Sequence, residues 1–172
     1  MVGLKKEDGK KILEKELGNK FNYDDVKEIR DKLYLEFLNT NGTPIKKGLL
    51  ELIEFLEKNK IPKAIASSTG RYLIDVLLEK ANLLEHFPII VSGDEITKGK
   101  PNPDIFLKAS DKLKVEPDKC LVLEDSNAGI KAANAAGMQV IMIPDLLEPD
   151  EEDKKIILKK YNSLLDVIEF LK

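Results

Sequence analysis

An α/β fold, a parallel sheet covered by helices on both faces, is predicted by two observations. From Gly48 onward, short apolar runs alternate with amphipathic stretches of helical period. Strands separated by helices run parallel, because a helical crossover brings the next strand in alongside its predecessor in the same direction. The second observation is the stretch Val122-Leu-Glu-Asp-Ser-Asn-Ala-Gly129, which leads into an alanine-dense segment. It reads as a buried strand, an acidic tip and a helix.

Taken in order, the chain opens without a strand signal. Apolar positions Leu4, Ile12, Leu13 and Leu17 among charges predict a helix over about 5–17, stopped by Gly18-Asn19, and a second amphipathic helix follows over about 24–38. These helices form a separate element, residues 1–44, closed by the turn formers Asn39-Thr-Asn-Gly-Thr-Pro44. Residues 45–172 form the α/β core. Helices are expected at 49–59, 72–83, 103–113 and 127–136, and strands at 63–66, 89–91, 120–123 and 140–143. Asn102-Pro103-Asp104 supplies a cap, an N1 proline and a first-turn acid for the third of these helices. An acidic loop, 148–153, leads to a tail with a last helix over 163–171.

Composition narrows the function. A formal charge of -3, with Lys and Arg scattered among Asp and Glu, lacks the basic patch of a nucleic-acid surface. No apolar run reaches membrane-spanning length and no signal peptide opens the chain, so a cytoplasmic protein is expected. Cys120, the one cysteine, sits in an apolar run and is assigned to core packing. His86, the one histidine, falls at a helix end and is read as a partner of the C-terminal dipole.

Chemistry concentrates at three strand tips. Glu124 and Asp125 are side-by-side oxygen ligands that suit a hard cation such as Mg2+, though the same pair also serves as an ordinary charged turn. Ser126 is placed to cap the helix that follows. The strand ending at Ala66 runs into Ser67-Ser-Thr-Gly-Arg71, hydroxyls and amides that can cradle a phosphate or simply cap a helix. Lys100 is held between Gly99 and Pro101, too restrained for a freely solvated lysine. All three tips fall at one edge of one sheet, where open α/β folds bind their ligands. A hydroxyl, a cation and metal-binding acids make a phosphoryl-transfer site that lacks one part.

These segments resemble the motifs of the haloacid dehalogenase superfamily, in its branch of β-phosphoglucomutase and related sugar-phosphate phosphatases. Ile65-Ala-Ser-Ser-Thr69 is similar to the second motif of that family, Gly99-Lys-Pro-Asn-Pro-Asp-Ile-Phe106 to the third and Leu123-Glu-Asp-Ser-Asn-Ala-Gly129 to the fourth. The resemblance runs from about Gly3 to the C-terminus. It implies a Rossmann-like parallel sheet with a mobile helical cap, Mg2+ as cofactor and a small phosphorylated metabolite as substrate. Ser67, with Ser68 beside it, would bind the transferring phosphoryl group, Lys100 would neutralise it, and Glu124 and Asp125 would hold Mg2+. The segment Gly3-Leu-Lys-Lys-Glu-Asp8 is similar to the substrate-contacting loop of the cap, with Lys6 where the mutase branch has an arginine. Arg30 and Arg71 are weaker candidates for a second phosphate.

The first motif of that family, an apolar strand ending in Asp-x-Asp-Gly that supplies the nucleophile, is missing. Phe37-Leu-Asn-Thr-Asn-Gly-Thr43 mimics its shape with amides, which can neither form an acyl phosphate nor bind a metal as carboxylates do. The resemblance puts that strand at the sheet centre, between those ending at Ser67 and Glu124. Without it, two buried edges stay unpaired or re-pair with each other, and the apolar faces of the cap helices lose their cover. The missing strand, turn and cap helices amount to roughly 40 residues. The chain is thus expected to be the C-terminal four-fifths or so of a phosphatase or phosphomutase, inactive alone. The alternatives are a phosphate-binding regulator without a nucleophile, or a half-enzyme completed by a missing N-terminal segment or another chain.

Overall fold

The structure, a computed structural model, describes residues 6–18 and 22–172, with side chains from Gly9 onward. Helices α1 (Lys6–Leu17) and α2 (Tyr23–Asn41) come first. The Asn22 side chain caps α2 by accepting the N–H groups of Asp24 and Asp25 at 3.1 and 3.4 Å. Gly42 ends α2 with φ +75°. The core then alternates as α3 (Leu49–Lys58), β1 (Ile65–Ser67), α4 (Arg71–Lys80), β2 (Ile90–Ser92), α5 (Asp104–Leu113), β3 (Leu121–Glu124), α6 (Asn127–Ala135), β4 (Gln139–Met142), β5 (Lys159–Lys160) and α7 (Leu164–Leu171).

Side-chain alternation along the strands covers both faces. Ile90 packs with Ile53, Ile74 and Leu78 of α3 and α4, whereas its neighbour Val91 packs with Ile105 and Phe106 of α5. On β4, Ile141 meets Leu52, Leu164 and Val167 of α3 and α7, while Val140 and Met142 meet Ile130 and Ala133 of α6. Helices α3, α4 and α7 thus lie on one face, α5 and α6 on the other. Each fully buried Ile or Val contributes about 1.5–3 kcal/mol.

The sheet comes in two halves. β1 pairs parallel with β2, Ile65 opposite Ile90, and β3, β4 and β5 form a second parallel set. Among the described residues no strand joins β1 to β3. Of the two outcomes expected for a missing centre, unpaired edges are the one observed. Ile65 donates to Ile89 O on the β2 side, and Glu124 O accepts from Ile143 on the β4 side. Alternation therefore turns the backbone groups of Ala64, Ala66, Leu121 and Leu123 toward the gap.

One local expectation needs correction and two gain detail. Pro103, not Asn102, is the cap of α5 and makes no side-chain cap bond, while Asn102 donates to Gly99 O at 2.9 Å. His86 ends a short 3-10 turn, and its Nδ1 lies 2.8 Å from Glu57 Oε1, so it meets a carboxylate on another helix as well as a helix end. Cys120 precedes β3 and is only half-buried against the core. Among the described residues no helix is long and apolar enough to cross a membrane.

Candidate active site

The carboxyl end of β1 runs into a turn held from two sides. Ser67 Oγ accepts the N–H of Thr69 at 3.2 Å, and the tip of β2 clamps the turn through Gly93 N–H to Thr69 O at 3.0 Å. Position 93 admits only glycine, since a Cβ there would lie 2.3 Å from Ser68 O. Asp94 reaches across to accept the Arg71 N–H at 2.7 Å, which anchors the start of α4.

Lys100 is buried, 5% exposed, and its ammonium donates to Glu124 Oε1. Its Nζ also lies 4.8 Å from the centroid of the buried Phe106 ring, a cation–π contact that holds it in place. Glu124 is saturated. Its Oε2 accepts the N–H groups of Asp125 and Ser126 at 3.0 and 3.1 Å and the Ser126 hydroxyl at 2.9 Å. Ser126 caps α6 as expected, its Oγ accepting from Gly129 N at 3.1 Å. The carboxylate lies so close to the helix that a Cβ at Gly129 would come within 2.0 Å of Glu124 Cδ.

Asp125 is a different carboxylate. Burial pushes its pKa above the ordinary value and the Glu124 charge adds to this, with Lys46 and Lys100 pulling the other way. A half-buried carboxylate with excess negative charge beside it is suited to receive a cation. Among the described residues no group of three or more His, Cys, Asp or Glu is arranged to hold a metal. Both oxygens of Glu124 are already engaged, Oε1 by Lys100 and Oε2 by Asp125 and Ser126, so Asp125 is the carboxylate of the pair left open to a cation. A single open carboxylate suits Mg2+, which keeps most of its waters and binds through one or two carboxylates and a phosphate.

Ser67, Ser68, Lys100, Glu124 and Asp125 all line one cavity of about 1430 Å3. It extends from the gap between β1 and β3 to α2, which contributes Tyr23, Lys27, Arg30, Asp31 and Tyr34. Arg30 Nε donates to Asp31 Oδ1 at 2.9 Å, and Lys27 pairs with the other oxygen. Burial pushes the Asp31 carboxyl up, but these two cations outweigh it and hold the group below its usual range. Arg71 is absent from the lining, and its guanidinium engages Asp75 at 2.8 Å. Lys6 opens α1, but its side chain lies outside the described residues, as does the segment 3–5.

Sequence reasoning passed over four residues here. Lys46, in the linker, lines the cavity and donates to Ile143 O and Pro144 O at 3.3 and 3.4 Å. A lysine after a turn cluster carried no signal of this. Phe106, Asp94 and Gly129 act through contacts that bring distant segments together, and only Gly129, a glycine inside a helical alanine run, was visible as an oddity.

A parallel sheet whose carboxyl edge gathers an anion-cradling turn, a buried cation and a carboxylate pair marks an α/β protein built to hold a ligand there. The chain belongs to the haloacid dehalogenase-like hydrolase family, whose pattern it matches over residues 1–143. It is 32% identical over 145 residues to a phosphorylated carbohydrates phosphatase of Thermotoga maritima, covering 82% of this chain and 65% of that one. To the bifunctional riboflavin kinase/FMN phosphatase of Arabidopsis thaliana it is 44% identical over 100 residues, 58% of this chain and 26% of that one. Its fold superposes on a hydrolase from Pseudomonas syringae with a TM-score of 0.81 at 25% identity, covering 99% of this chain and 78% of the other. The chain therefore spans less than two thirds of each of these two curated relatives.

Proposed function

We propose that the site performs Mg2+-dependent phosphoryl transfer on a small phosphorylated metabolite, a sugar phosphate, with an aspartate from outside these 172 residues as nucleophile. The observation that carries the reading is the convergence of Ser67, Lys100 and the Glu124–Asp125 pair on one cavity at the sheet's carboxyl edge. The Ser67 and Ser68 hydroxyls and turn amides hold the phosphoryl oxygens. Lys100, already desolvated, offsets the negative charge gathered by phosphate and attacking carboxylate. Asp125, with Glu124 beside it once that carboxylate releases a donor, would hold Mg2+, which when bound lowers the charge repulsion between the anions. The incoming carboxylate displaces the sugar oxygen to form an acyl phosphate, and water or a sugar hydroxyl then cleaves it. Residues 1–44 act as a cap on the core 45–172 and exclude water, Lys6 and the Lys27–Arg30–Asp31 cluster reading the far end of the substrate. The free cysteine and the scattered surface charge support a cytoplasmic protein without a nucleic-acid partner.

A second reading, phosphate binding without turnover, is favoured by the state of the other carboxylates in the cavity. Asp31 is tied to Lys27 and Arg30, and Asp94 anchors α4. One titration tests both. The purified chain is expected to bind inorganic phosphate by calorimetry only with Mg2+ present, at least tenfold more weakly as Asp125→Ala, and to leave an aryl phosphate intact. Hydrolysis that Asp125→Ala abolishes would overturn the external nucleophile, and phosphate binding indifferent to Mg2+ and to Asp125 would overturn the site.

A further inference from the structure

Lys46 is held loosely for a cation at the edge of a site. Its Nζ donates to Ile143 O and Pro144 O at 3.3 and 3.4 Å, long for such bonds, and its ion pair with Asp145 spans 3.9 Å. Ile143 also ties the tips of β3 and β4 together, its N–H donating to Glu124 O at 2.7 Å. Glu124 pairs with Met142 in the ladder, so Asp125 lies level with Ile143, the residue that Lys46 holds. The Lys46 charge reaches it there, one of two that pull the Asp125 pKa down against burial. Lys46 and Ile143 stand between two cavities, the large one and a smaller one of about 340 Å3 whose wall includes Asp145, Asn162 and Ser163. The backbone that follows is fixed. Lys47 O accepts the Leu164 N–H at 3.0 Å, and a Cβ at Gly48 would lie 2.5 Å from Leu165 N. What is left to move is the Lys46 side chain, 35% exposed.

We infer that Lys46 is the resident counter-ion of Asp125, a built-in cation that swings aside toward Asp145 in the smaller cavity when a divalent cation takes the carboxylate. The inference deepens the proposed function and rests on its placing of Mg2+ at Asp125. A half-buried carboxylate needs positive charge near it to stay ionised. Lys100 is committed elsewhere, its ammonium tied to Glu124. Lys46 fits the part, because its charge is a point on a flexible four-carbon stem and neither of its hydrogen bonds is short. Two cations at one strand tip repel each other, so lysine and metal exclude one another. Lys46 is then no ligand of the metal. It lowers the apparent affinity by the share of time it spends at the tip, and a residue of the linker sets the concentration at which the site fills.

The probe is Mn2+, a stand-in for Mg2+ at oxygen ligands, with the free ion counted by electron paramagnetic resonance. Lys46→Met keeps the stem and removes the charge. It is expected to bind Mn2+ about two- to fivefold tighter than the wild type, the range of one partly exposed charge pair. Lys46→Arg, which keeps the charge, should match the wild type. The advantage of Lys46→Met should vanish in about 1 M salt, where charges more than roughly 3 Å apart are screened. A lysine that merely braced the linker would shift the melting temperature without this salt-dependent gain. In protein whose lysines carry 13C-methyl groups, which keep the charge, the Lys46 resonance is identified by its loss in Lys46→Arg. It should move as Mg2+ is added and stay in place in Asp125→Ala.

Mn2+ binding that Asp125→Ala abolishes, and that Lys46→Met leaves unchanged or weakens, would overturn the inference and leave the proposed function standing. So would a Lys46 resonance that ignores Mg2+ while Asp125 takes it up. Binding indifferent to Asp125 would overturn both. The expected gain in Lys46→Met, in a chain that binds no phosphate with Mg2+ present, would sink the proposed function alone.

Discussion

Lys100 and Glu124 illustrate how much depends on single side chains. Both are nearly excluded from water and bonded to each other. Lys100→Met leaves a carboxylate buried without its cation, and about 3–5 kcal/mol of stability is expected to be lost in urea unfolding. Adding Glu124→Gln should restore part of it. Gly129→Ala forces a methyl into the Glu124 carboxylate, so phosphate binding in calorimetry should fall together with the melting temperature. Glu95 gives a pH test away from the site. Hydrogen bonds from Lys112 and the Ser92 N–H lower its pKa from 4.5 to about 2 despite some burial. A depressed folded pKa stabilises above the unfolded value and ceases to do so as pH falls through the folded one. Glu95→Gln should therefore destabilise the protein at neutral pH, with the urea midpoints converging as pH drops from 4.5 to about 2. At this scale the acidic tip and the Ser67 turn were legible because their residue types are unusual at strand ends, and Lys100 because it stands between glycine and proline. Lys46 and Asp94 were not, since what they do depends on which distant backbone lies next to them.

Among the elements, the alternation of helices and strands was readable because each carries its own apolar period. Helix α5 shows why it holds. Ile105, Phe106 and Ala109 fall at i, i+1 and i+4, and all are buried. Ile105→Ala is expected to cost about 2–5 kcal/mol in urea unfolding. Strand β5 escaped notice because both of its residues, Lys159 and Lys160, are lysines. It lies at the sheet edge, where its ladder bonds to β4 use backbone alone and the charged side chains face solvent, Lys160 meeting Glu148 at 2.6 Å. Charge at an edge discourages pairing with a further strand, which is a reason for lysine there that no propensity scale contains. The cap of α5 was misread for a related reason, because the Asn102 side chain bonded back to Gly99 instead of forward into the helix.

For the molecule as a whole, the divided sheet sets the behaviour. Each half has helices on both faces, and among the described residues the halves meet through packing on α3, α5 and α6 and through the Lys100–Glu124 pair. The half made of β1 and β2 depends on α3, α4 and α5. Its amides are expected to exchange faster than those of β3 and β4, a difference that hydrogen-exchange mass spectrometry resolves. The open gap also leaves Lys100 in an unusual position among the lysines. An amine-acylating reagent should mark Lys154 and Lys10 within the first minutes, since both ammonium groups reach water. It should pass over Lys100 while that ammonium stays tied to Glu124 and shielded from water, so the first label on Lys100 in a peptide map would report, without any substrate or assay, that the pair has come apart.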